Sequence, residues 1–311
     1  MAGLGSVAAG MSSNSTPQNP YVGPRTFQTA EGDLFFGRER EARDLQALVI
    51  SERLVLFYAQ SGAGKSSLIN TRLIPGLAAQ GFEVLPVGRL SGQTELDVAA
   101  DNIFVYNLLL SLHQQEQIPA VFTKIDCLTF LDNLVSAEGK FYYDEQYDFS
   151  TQTEFKPRVL IIDQFEEILT TNVQAWPQRT TFFQQISRAL EIDDQLWVVL
   201  AMRVDYVAAL DPYVDYVPGQ LRARYYMQPM GYQAALEAVQ KPAEKAGRPF
   251  TAETAQTLID DLRRVKVHGK DEPQLGQFVE PVQLQVVCYQ LWENLSQESQ
   301  PARMIGIEAL T

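Results

Sequence analysis

Short apolar runs alternate with helical stripes along most of this chain, and that alternation is the strongest guide to its architecture. Arg53–Tyr58 and Arg158–Ile162 are near-continuous apolar runs of strand length, the pattern of strands buried inside a sheet. Phe82–Val87, Leu196–Met202 and a short Arg224–Gln228 stretch read the same way. Between them apolar residues recur at helical spacing: Leu45, Leu48 and Val49, then Ile103–Leu112, Val121–Leu134 and a helix around Phe182–Leu190. Strands alternating with helices predict an α/β fold, a parallel doubly wound sheet with helices on both faces. Residues 137–157 carry Tyr142, Tyr143, Asp144 and Asp148 without periodicity and predict a surface insertion.

Past Pro229 the strand pattern fades. Ala234–Val239, Ala252–Val265 and Val282–Leu295 are helical stripes, so residues 229–311 predict a small all-helical lid domain beside an α/β domain over 21–228. At the other end, Ser12–Pro20 is rich in Ser, Asn and Pro and has too little apolar surface to order itself. Residues 1–20 therefore predict a disordered leader.

Composition narrows the class. A chain of 311 residues, 46% hydrophobic, can bury a sizeable core. Its two cysteines, Cys127 and Cys288, give no disulfide framework and suit a reducing, cytoplasmic setting. A formal net charge of −13 argues against non-specific binding to nucleic acid or to an anionic membrane. No apolar stretch reaches the roughly 18 residues of a membrane span, and the first ten residues lack the basic start of a signal peptide.

The chemistry starts at residues 59–67, Ala-Gln-Ser-Gly-Ala-Gly-Lys-Ser-Ser, directly after an apolar strand. Strand, glycine-rich turn and helix start are the required context of a phosphate-binding P-loop. Successive N–H groups of Ser61, Gly62, Ala63, Gly64, Lys65, Ser66 and Ser67 would form an anion nest, reinforced by the positive end of the helix dipole. Gly62 and Gly64 let the backbone approach phosphate oxygens. Lys65 can reach the β- and γ-phosphates as a point charge, and the Ser66 hydroxyl can take one position on Mg²⁺. The usual first glycine is Ala59 here, at the strand end, where the smallest side chain leaves the loop intact.

A second half follows. The Arg158–Ile162 run ends in Asp163-Gln164-Phe165-Glu166-Glu167. Ligands of open α/β sheets lie beyond the carboxyl ends of the strands, so Asp163 should emerge beside Lys65 and hold Mg²⁺ with Ser66. Glu166 or Glu167, one turn on, could orient or deprotonate an attacking water. The plain alternative is an acidic first turn of a helix, favoured by the dipole alone. Thr123-Lys124-Ile125-Asp126 imitates a guanine-reading motif, but it precedes Asp163 instead of following it. The Asp163 run also has Glu166 where a GTPase switch has glycine. A solvated Lys/Asp pair at a helix start accounts for it better.

Further runs stand beside the P-loop and Leu160-Ile-Ile-Asp-Gln-Phe-Glu-Glu167: Pro20-Tyr-Val-Gly-Pro-Arg-Thr-Phe27, Phe35-Phe-Gly-Arg-Glu-Arg-Glu41, Ala201-Met-Arg-Val-Asp205 and Phe278-Val-Glu-Pro-Val-Gln-Leu284. Together these pieces resemble the STAND class of P-loop NTPases, signal-transduction ATPases with numerous domains, and most of all their prokaryotic branch from conflict and defence systems. The resemblance implies that Phe36, Gly37 and Arg38 lie by the adenine and ribose and that Pro281 packs on the base as the lid proline. It also implies that Arg203 is the sensor arginine of the γ-phosphate. A fixed guanidinium suits that task, because charge and bidentate geometry distinguish tri- from diphosphate. An ion pair of Arg203 with Asp205 or Asp163, and a first-turn helix proline at 281, are the plain alternatives. The family continues past its lid into a winged helix and sensor domains, and the present chain stops about where the winged helix would begin.

Together these features lead us to expect an ATP/ADP- and Mg²⁺-dependent switch that hydrolyses slowly and, by the resemblance, self-associates in its ATP state. A scaffold that keeps nucleotide without turnover is the second expectation. A DNA-handling ATPase is the third, and the acidic balance weighs against it.

Overall fold

The computed structural model describes residues 19–147, 156–266, 272–296 and 304–310. Most of the predicted leader, residues 1–18, therefore lies outside the described residues, as do 148–155 of the predicted insertion.

Five parallel strands form the central sheet, in the order Glu83–Val84, Arg158–Ile162, Leu196–Arg203, Leu54–Ala59, Arg224–Tyr226. Alternation along each strand feeds two separate cores, as the two-residue period of a pleated strand requires. Leu54, Leu56, Leu160, Ile162, Val198, Leu200 and Met202 pack into one. Val55, Phe57, Val159, Ile161, Val199 and Ala201 pack into the other. Helices Ile103–Leu112 and Trp176–Ile192 cover the first face, and Glu39–Ser51 with the helical segment from Lys65 to Ala79 covers the second. The sheet is thus doubly wound, with every central strand buried.

Three local departures from the sequence pattern have identifiable causes. The strand expected over Phe82–Val87 pairs as a regular ladder only at Glu83–Val84: the Leu85 N–H still donates to the Val159 carbonyl at 3.0 Å, but the next bond comes from Gly88 in place of Val87, so one extra residue bulges out. Pairing resumes at Gly88, whose N–H donates to the Ile161 carbonyl at 2.7 Å. The stripe expected as one helix over Val121–Leu134 is split into a 3₁₀ turn, Ala120–Thr123, and a helix, Cys127–Asp132, since the Asp126 side chain accepts the Thr129 N–H and starts a new helix. Within 137–157, Lys140–Tyr143 pairs back on Leu134–Ala137 as an antiparallel hairpin. Its two-residue turn, Glu138-Gly139, has both φ values positive, as a primed hairpin turn demands.

Helices Tyr232–Lys245, Ala252–Leu262 and Pro281–Ser296 surround a third core containing Ala235, Val239, Leu258, Ile259, Leu284 and Trp292. Two short antiparallel ladders accompany them: Met230–Gly231 with Phe278–Val279, and Arg264–Val265 with Gln274–Leu275. The second ladder ends the helix that the stripe carries to Val265 three residues earlier, at Leu262.

Residues 19–27 tie this helical unit to the sheet. The Asn19 amide donates to the Tyr289 carbonyl (3.1 Å) and Glu293 (2.8 Å), and the Tyr21 hydroxyl donates to the Val239 carbonyl. Further on, the Phe27 N–H donates to Ser67 Oγ at 3.2 Å, and the Asn70 amide donates to the Phe27 carbonyl at 3.0 Å. The segment is a strap from lid to P-loop helix.

Candidate functional site

Strand register places the chemistry at the carboxyl ends of three neighbouring strands. Ala59, the last residue of the P-loop strand, pairs with Arg203, and Phe165 N–H donates to the Ala201 carbonyl. Asp163 therefore emerges one strand away from the P-loop, with Arg203 on the strand between. Ala59 itself is fully buried in a sheet core, so the methyl group that replaces the usual glycine is part of the packing. Gly62 (φ +73°) and Gly64 (φ +93°) take the left-handed backbone that turns the loop, and a helix begins at Lys65. That helix has a π turn over Ile69–Leu73, just ahead of Pro75. Pro75 cannot supply the next helical N–H.

Two segments 97 residues apart meet here. The Ser66 hydroxyl donates to Asp163 Oδ2 at 2.6 Å, while Asp163 Oδ1 accepts the Gln164 N–H at 2.9 Å. Asp163 is buried. The Lys65 ammonium has the Gln60 carbonyl at 3.5 Å as its contact. Burial holds the Lys65 pKa below the ordinary lysine range; the Glu166 and Asp163 carboxylates act in the opposite direction without cancelling it. An incoming phosphate would restore the charge balance that burial disturbs.

The two glutamates diverge. Glu166 lines the cleft, and its Oε2 accepts the backbone N–H of Arg203 at 3.1 Å. Glu167 turns away into a buried cradle, where it accepts the Arg89 guanidinium (2.5 Å) and the N–H groups of Leu90 (3.1 Å) and Ser91 (2.9 Å). Burial would raise its pKa, but the hydrogen bonds from Arg89 and Ser91 outweigh it and hold the carboxyl below the usual range. Arg203 also lines the cleft, with its guanidinium forked onto Asp205 Oδ2 (2.7 and 3.1 Å) and lying 5.5 Å from the Tyr206 ring centre.

The cleft has two adjoining parts, a larger and a smaller, that share part of their lining. The larger is polar and holds Ser61, Gly62, Gly64, Lys65, Ser66, Ser67, Asp163, Glu166 and Arg203. The smaller is apolar, between Leu34, Phe35 and Phe36 on one side and Met230, Ala238, Pro281 and Leu284 on the other. Pro24, Arg25, Gly62, Gly64, Ser67 and Val282 belong to both.

Gly37, Arg38 and Ala63 stand behind this lining. Gly37 has φ +82°, and a Cβ on it would overlap the Ala234 carbonyl oxygen of the lid. Arg38 is buried and donates to Glu41 (2.6 Å), the Gln228 carbonyl (3.0 Å) and the Ala63 carbonyl (3.3 Å), clamping the P-loop from beneath. The Asp126 of the guanine-like motif is elsewhere: it caps its own helix and lies 3.5 Å from Arg188.

Sequence reasoning overlooked Gln164, Pro24, Arg25 and Thr26, all in the cleft lining. Gln164 follows Asp163 directly and adopts φ +53°, rare for a residue with a side chain, and no residue type signals that conformation. The strap residues sit inside a quoted motif, but nothing in their spacing says that they cross a cleft.

The family model described as Novel STAND NTPase 1 matches residues 20–302. No curated protein matches the chain. Among solved structures it is similar to the Walker-type ATPase PABY2304 of Pyrococcus abyssi, with TM-score 0.53 and 12% identity over 86% of this chain and 70% of that one. It is also similar to the ORC2 protein of Aeropyrum pernix in its ADP form, with TM-score 0.43 and 15% identity over 68% of this chain and 53% of that one. Among the described residues no helix is long and apolar enough to cross a membrane.

Proposed function

The chain belongs to the novel STAND NTPase 1 family, and on that premise we propose that it is an ATP-binding, slowly hydrolysing switch, with ATP·Mg²⁺ seated between sheet tips and lid. One observation carries this: the Ser66 hydroxyl and the Asp163 carboxylate stand 2.6 Å apart at the mouth of a P-loop. Both are hard oxygen donors, the chemistry that Mg²⁺ selects. Among the described residues no group of three or more His, Cys, Asp or Glu gathers as a metal site. That suits an ion drawing most of its ligands from phosphate and water. When bound, Mg²⁺ would neutralise charge on the β- and γ-phosphate oxygens.

The chain's own groups divide the remaining work. The amides of residues 61–67 and the Lys65 ammonium hold the phosphates. Glu166, facing the cleft, accepts the proton of the attacking water; Glu167, tied to Arg89, shapes the turn that presents it. Arg203 contacts the γ-phosphate after exchanging Asp205 for it. The apolar part takes adenine against Phe36 and Pro281. Gly37 and Arg38 support the base and ribose end from behind.

Because sheet and lid both face the cleft, tri- and diphosphate would bias the lid differently, the requirement for a switch. Family membership supports cytoplasmic signalling, in bacterial defence or regulation, with self-association in the ATP state. The test is nucleotide binding and phosphate release by Lys65→Ala. This variant should bind no ATP, and normal hydrolysis by it would overturn the assignment. The Arg203–Asp205 pair favours one alternative, a scaffold that retains nucleotide without turnover. Steady-state phosphate release by the wild-type protein separates the two.

A further inference from the structure

We propose that Arg25 is a further nucleotide-binding residue, contacting the α/β end of the polyphosphate and held in reserve by Glu31. The inference rests on the nucleotide assignment above and goes beyond it. Arg25 lines both the apolar and the polar part of the cleft, the junction where the first phosphates follow the ribose.

Charge points the same way. In the polar part, Lys65 and Arg203 face Asp163 and Glu166, two cations against two acids, and Arg203 is further engaged by Asp205. Arg25 is the other cation of that lining. Asp205 and Glu31, which are outside the lining, hold Arg203 and Arg25 until a polyanion draws both cations to itself.

The strap fixes where the side chain starts. Gly23 (φ +72°) faces the Tyr289 ring of the lid, where an added Cβ would lie 3.5 Å from the ring, and Phe27 is bonded to the P-loop helix through Ser67. Arg25 sits between these anchors. Its guanidinium is forked onto Glu31 at 2.5 and 2.8 Å, outside the core, with both groups partly exposed. An exposed pair of this kind is weak, so a phosphate can compete for the guanidinium. Glu31 keeps the Gln28 N–H (2.8 Å) when Arg25 leaves.

The experiment is calorimetric titration of Mg·ADP and Mg·ATP into wild type, Arg25→Gln and Glu31→Gln. Arg25→Gln should weaken both nucleotides by roughly tenfold to a hundredfold, the usual worth of a hydrogen bond to a charged group. Glu31→Gln loses the same ion pair but frees Arg25, and should bind at least as tightly as wild type. A loss under about threefold for Arg25→Gln, an equal loss in Glu31→Gln, or a loss confined to ATP would each overturn the proposal. Failure of the wild-type protein to bind either nucleotide would instead overturn the nucleotide assignment itself.

Discussion

Glu166 and Glu167 are adjacent in the chain, yet their carboxylates serve opposite sides of one turn. Glu166 faces the cleft and accepts the Arg203 N–H, whereas Glu167 is buried on Arg89, Leu90 and Ser91. The same substitution at the two positions should therefore read out in different assays. Glu166→Gln should keep ATP binding and lower single-turnover phosphate release by about a hundredfold or more. Glu167→Gln should lower unfolding free energy in urea by about 2 kcal/mol, because two backbone N–H groups and a guanidinium lose a charged acceptor.

Acid should expose the same difference. The folded Glu167 carboxyl titrates below its unfolded value, so the unfolded chain binds more protons as pH falls. Its contribution is present above the ordinary glutamate pKa of about 4.3 and is lost as pH falls through the lower folded value. Unfolding midpoints measured between about pH 3 and 6 should fall less steeply for Glu167→Gln than for wild type.

Gly37→Ala should be severe. Its left-handed backbone and the Ala234 carbonyl both exclude a Cβ, so the loop must move off the lid. A loss of at least about 2 kcal/mol is expected, together with weaker ATP binding. Thermal unfolding monitored with and without ATP checks both.

Asp163→Asn keeps the shape of the Ser66 contact and removes the charge that would attract a divalent ion. Titration of Mg²⁺ at fixed ATP should show the wild-type gain in affinity flattened in the variant. An unchanged Mg²⁺ dependence would put the metal elsewhere.

The sheet was legible because strands buried on both faces are continuous apolar runs, as Arg158–Ile162 and Leu196–Arg203 show. The P-loop was legible because phosphate chemistry restricts its residue types. Boundaries set by a single local contact or bulge were not, such as the Asp126 cap or the extra residue before Gly88 in the ladder. The Glu138-Gly139 hairpin was missed because its turn lacks the Asn-Gly or Asp-Gly pair that announces one. Within the site, sequence could bring Asp163 to Ser66 but could not separate Glu166 from Glu167. Their divergence depends on which way one turn rolls and on Arg89, 78 residues distant.

Tyr21 belongs to the lid core and Val22 to a sheet core; Met227 belongs to that sheet core and Met230 to the lid. The polypeptide thus passes between the two bodies at two separate points. A body hung by one thread can swing and twist in any direction, but one pinned at two points turns only about the line joining them. Any swing of the lid would thereby be confined to a single arc, like a door on a pair of hinges.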